Sequence, residues 1–168
     1  MKRMRISWQV LFFALILILG LVFQTAAQDY KAQYEQQVKI NEDTIAKIAE
    51  VINYVCPRIV PASAKCCNPN DPVGSAVAVQ KYMEQFWNKD EEDIEDAKMP
   101  PLLNKKAALQ FWDAVEQFKK HFPYREKAKE YAKKGDWHNA LLNENMAWQY
   151  LVKCASRGIF AKTLVSGE

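Results

Sequence analysis

Tyr34, Val38, Asn41, Ile45, Ile48, Ile52 and Val55 recur at alternating steps of four and three. That period puts them on one side of an α-helix, as a seam to be buried, with Asn41 its single polar member. A half-buried strand would alternate at every second residue, and no stretch of useful length does so. The chain is therefore expected to be all-α. Pro57 should end this first helix, because proline lacks an N–H and disfavours helical geometry in the residue before it.

The same helical period continues downstream. Cys56–Pro72 holds four prolines and two asparagines and reads as a loop. A second helix is expected from Pro72, a residue tolerated in a first turn, to Trp87, with Asn88–Lys98 as its frayed polar end. A third starts near Asn104 and carries Leu109, Trp112, Val115, Phe118 and Phe122. Pro123 either kinks it or opens a new helix. Gly135 is a stop and Asp136 an N-cap for a last helix carrying Trp137, Leu141, Trp148, Leu151 and Ala155, ending near Gly158. The expected fold is one antiparallel bundle of four or five helices over residues 28–168.

Residues 1–27 form a leader. Lys2, Arg3 and Arg5 precede an apolar run of 14 residues, Val10–Phe23, and Thr25-Ala26-Ala27 offers a cleavage site. Cleavage would start the mature chain at Gln28, and a retained membrane anchor is the alternative. Both imply export to the periplasm or the extracellular space. The remaining 20 basic residues match the 20 acidic ones, so the body lacks the positive charge that nucleic-acid binding draws on.

Export makes disulfides expected, and the cysteines number four. A bond between the neighbours Cys66 and Cys67 would strain the backbone. The expected pairing joins Cys56 to one of them and Cys154 to the other. That second bond requires the chain to reverse near Pro123. A kinked helix of about 30 residues would instead leave Cys154 a buried free thiol.

Catalytic and ligand-binding signals are sparse. His121 and His138 lie on different helices without zinc spacing, and both are expected at the surface or at helix ends. There is no nucleophile elbow and no glycine-rich phosphate loop. The acidic run Asp90–Asp96 lacks an EF-hand pattern and reads as a solvated helix end. Phe86, Trp87, Phe111 and Trp112 read as core, with one of the last two turned outward. The expectation is a non-enzymatic interaction module without cofactor or metal, binding a protein partner.

Two stretches carry resemblances. Tyr131–Ala140 resembles the turn and second helix of one tetratricopeptide repeat, which implies a helix–turn–helix hairpin. Pro100–Phe160 is similar in layout to exported bacterial cytochromes of the c-prime type, which are four-helix bundles. Their haem-binding Cys-x-x-Cys-His is replaced here by Cys154-Ala-Ser-Arg157-Gly158. The resemblance therefore implies the architecture without covalent haem. The early cysteine pair Cys56 and Cys66 is also loosely like that of the secreted plant inhibitors of invertase and pectin methylesterase, which implies an inhibitor as an alternative function.

Overall fold

The computed structural model describes residues 8–87 and 102–167, with side chains from Asp29 to Gln85 and from Leu102 to Gly167. The described residues form four α-helices: α1 (Trp8–Ile59), α2 (Pro72–Trp87), α3 (Lys105–Lys133) and α4 (Trp137–Ser166). A single 3-10 turn, Ala62–Ala64, interrupts the loop after α1.

The seam of α1 is buried as its period requires. Asn41, Ile48, Ile52 and Val55 are buried, and Ile45 packs against the same core. The helix continues through Pro57 to Ile59. Pro57 is exposed, and the chain leaves helical geometry only at Val60. Pro57 thus lies inside the last turn of α1, and the helix ends two residues after this expected stop.

The loop that follows is stapled. Cys56 and Cys67 form a disulfide with Cα atoms 5.9 Å apart. Closing a loop of this length stabilises by about 3 kcal/mol. Ser75 Oγ accepts from the Asn68 N–H and donates to the Asn68 carbonyl. Asp71 caps α2 by accepting from the Gly74 N–H at 2.9 Å. A side chain at Gly74 would stand 2.0 Å from that carboxylate, which would have to shift to make room.

The helices pack as two antiparallel pairs, α1 with α2 and α3 with α4. Contacts between α1 and α4 rise together along both helices: Tyr34 with Trp137, Asn41 with Glu144, Tyr54 with Ser166. These two helices therefore run parallel. The start of α3 is tied to the end of α1 by a bond from the Leu103 N–H to the Ile59 carbonyl. The loop after α1 and the end of α4 share one end of the bundle, whereas an up-and-down bundle would separate them. The connection 88–101, with the polar extension and acidic run expected there, lies outside the described residues.

Pro123 does not reverse the chain. It sits exposed on α3, whose 29 residues continue unbroken past it. The reversal falls instead at Lys134-Gly135-Asp136, where Gly135 has φ +75°. Asp136 then caps α4, accepting from the Asn139 N–H at 3.2 Å.

The buried faces of α3 and α4 differ from those expected. Leu109 is 54% and Phe122 44% exposed, while Ala107, Ala108, Phe111, Ala114, Val115, Phe118 and His121 face inward. Trp112 is half-buried beside fully buried Phe111. On α4 the inner seam is Ala140, Glu144, Ala147, Leu151, Cys154, Gly158 and Ala161. Small residues let α1 approach closely here. An added Cβ on Gly158 would meet Val51 Cγ1 at 3.1 Å. The helix runs on through Gly158 to Ser166, two turns past its expected end.

Candidate functional site

The cysteines separate into one bond and two thiols. Cys56 and Cys67 pair; Cys66 and Cys154 are free. The expected bond to Cys154 is absent for a geometric reason. Gly158 is level with Val51, so Cys154 lies about nine residues of axial rise, roughly 13 Å, from the level of Cys56, the end of the bundle at which the Cys56–Cys67 bond holds the loop with Cys66. A disulfide needs Cα atoms within about 7 Å. Cys154 instead borders a small apolar cavity of ≈ 10 Å³ with Ile48, Ile52, Ala76, Phe111 and Phe118. Burial pushes its thiol up to about 12, so it stays protonated and inert. Cys66 is half-buried, its thiol also raised by burial, and donates to the Ala64 carbonyl at 3.2 Å.

A polar layer crosses the bundle above this cavity. The Asn41 amide donates to the Glu144 carboxylate and, at 3.0 Å, to the Glu144 carbonyl. Arg125 Nε stands 3.4 Å from Glu144 Oε2, and its outer nitrogen reaches Glu42 at 3.4 Å. Gln37 donates to Asn41 Oδ1. Tyr34 borders the layer, and burial and then the Glu144 charge raise its hydroxyl. No buried side-chain nitrogen or oxygen among the described residues lacks a partner. A satisfied layer of this kind fixes the register of α1, α3 and α4.

His121 is buried rather than at the surface, its Nδ1 against the Phe118 carbonyl and its ring against Phe118 and Phe122. Burial lowers its pKa below 6.5; the Phe118 hydrogen bond opposes this and the Arg125 charge adds to it. His138 is exposed as expected, edge-on to Tyr30 at 4.9 Å. Among the described residues no group of three or more His, Cys, Asp or Glu could hold a metal ion. The side chains of Phe86 and Trp87 lie outside the described set.

The remaining feature is on the outside of α4. Leu141, Asn145, Trp148, Val152, Ala155 and Ile159 follow one another at alternating steps of four and three. They form a second seam, beside the inner one. Trp148 is 40%, Val152 42% and Ile159 57% exposed. The upper end opens into a surface groove of ≈ 260 Å³ between α1 and α4, lined by Gln33, Gln36, Gln37, Ile40, Leu141 and Asn145. The sequence pattern placed Leu141, Trp148 and Ala155 in the core; Ala155 does pack against it and lines the small cavity, whereas Leu141 is half-buried and Trp148 exposed. The signal passed over was two parallel seams on one helix, the inner one made of small residues.

No protein-family model, curated protein or solved structure matches the chain.

Proposed function

We propose that the chain is an exported, non-enzymatic interaction module, an accessory subunit of an envelope complex, and that it docks through the outer seam of α4. The observation that carries this reading is that seam: tryptophan and branched aliphatic side chains, left in water at the spacing by which helices pack. Tryptophan on such a face is a characteristic anchor of protein interfaces. The polar layer holds α4 in one register, so the face is presented rigidly.

Export is supported by the leader pattern and by the Cys56–Cys67 bond, which persists in oxidising compartments. The leader brings the chain to the membrane, and cleavage after Ala27 releases the bundle. Among the residues with described side chains, no helix is long and apolar enough to cross a membrane. Val10–Phe23 lies outside that set. A cofactor or lipid held among the aromatics is less well supported, since such ligands occupy pockets of about 300 Å³ or more and the interior cavity is ≈ 10 Å³.

Photoreactive side chains placed at Val152 and Ile159 in producing cells test this reading. Adducts from both positions, and none from exposed Val77 on α2, are expected. No adduct at either α4 position would overturn it.

A further inference from the structure

Pro123 divides α3 into two unequal parts. It cannot supply the N–H that would bond the Lys119 carbonyl, so the helical ladder has a gap there. Seven of the eight buried residues of α3 lie before it, from Ala107 to His121, and only Ala128 lies beyond. The distal arm, Tyr124–Lys133, is held instead by polar and surface contacts. Arg125 reaches Glu144 and Glu42, and the Tyr124 ring stacks on Tyr150 at 5.4 Å. A surface groove of ≈ 290 Å³, lined by Lys127, Tyr131 and Asn143, opens between the arm and α4. Segments with few buried apolar contacts are the first to open locally.

His121 sits at the root of this arm, buried in the last turn before Pro123. Its Nδ1 donates to the Phe118 carbonyl, and its ring lies against Phe118 and Phe122. That site suits a neutral imidazole. On α3 itself, Arg125 stands one turn on and would repel a second cation, and Lys120 is exposed. The carboxylates near this level are either committed or in water. Glu144 of α4 and Glu42 of α1 hold Arg125. Glu84 of α2, one turn past the Gln80 that bonds Glu116, is exposed. Burial, the larger cause, and the Arg125 charge disfavour the imidazolium.

We infer that α3 is hinged at Pro123 and that protonation of His121 opens the distal arm away from α1 and α4. The imidazolium reaches water through that opening. The same movement draws Arg125 off Glu144, so the polar layer that fixes the register of α4 is released in acid. This hinge is independent of what docks on α4. Opening takes up one proton, so its equilibrium constant should rise by up to about tenfold for each pH unit below ~6.5, until the closed ring is itself protonated.

Amide hydrogen exchange of the protein purified from exporting cells, at pH 7 and pH 5 and corrected for intrinsic rates, tests the hinge. At both pH values the arm should be protected about tenfold or more below Ala108–Phe118, because it opens without global unfolding. Between pH 7 and 5 the arm should lose about a further tenfold in protection. In His121→Gln that loss should disappear. Pro123→Ala, which restores the missing helical bond, should raise the protection of the arm toward that of the first part of α3, and it keeps the test open should His121→Gln not fold. One common protection along all of α3, an arm equally protected at pH 7 and 5, a loss that persists in His121→Gln, or a Pro123→Ala arm no better protected than the wild type would overturn the inference.

Discussion

Asn41 and Glu144 lie 103 positions apart, yet the Asn41 amide donates to both the carboxylate and the backbone carbonyl of Glu144 in the solvent-free interior between α1 and α4. This bond helps set the axial register of two parallel helices that also meet through Tyr34 and Trp137 and through Tyr54 and Ser166.

Breaking the layer should cost more than replacing it. Glu144→Leu leaves the Asn41 amide and the Arg125 guanidinium without their buried acceptor, and should destabilise by about 3–5 kcal/mol. Adding Asn41→Leu to that variant should recover part of the loss, because one stranded polar group is removed. Denaturant unfolding of both variants checks the order.

Ile52 is 5% exposed within the seam of α1, so Ile52→Ala should cost about 2–5 kcal/mol. A change below about 1 kcal/mol would mean the face is not packed.

Pro123 lies exposed inside a continuous α3, where it removes the N–H of one helical bond. Pro123→Ala should therefore stabilise, by up to about 3 kcal/mol. Loss of stability on this change would indicate a helix start at Pro123, where proline is favoured.

Stability should fall on acidification through His121. Its folded pKa lies below 6.5 because burial disfavours the imidazolium. Below pH ~6.5 the unfolded chain takes up a proton that the folded chain resists, so this contribution is complete above that pH and lost as pH drops toward the folded value. In His121→Leu this part of the pH dependence should vanish, as read by thermal unfolding between pH 7 and 5.

Peptide mapping without reduction should return one linked pair, Cys56 with Cys67. Alkylation should modify half-buried Cys66 in the native protein and Cys154 only after unfolding. A link to Cys154 would contradict the packing of α4.

The seam of α1, the starts of α2 at Pro72 and of α3 near Asn104, and the Asp136 cap were legible, because each rests on a local rule of period or hydrogen bonding. The inner seam of α4 was not. Ala140, Ala147, Gly158 and Ala161 are weakly apolar, and Glu144 among them is charged, so period reading favoured the larger residues one position away. His121 was misplaced for the same reason: a polar residue is buried here only because Phe118, three positions earlier, offers its carbonyl. The parallel pairing of α1 with α4 could not be read from local pattern, since it depends on which end of the bundle α3 starts from. The outer seam of α4 became visible only once the inner one was known.

The most direct test of the docking reading is the solvent exposure of Trp148 where the protein works. Hydroxyl-radical footprinting should oxidise Trp148 readily in dilute purified protein and several-fold more slowly in intact envelopes, with exposed Phe122 on α3 as the internal reference. Equal oxidation of Trp148 in both settings would contradict the assignment of this face as the docking surface.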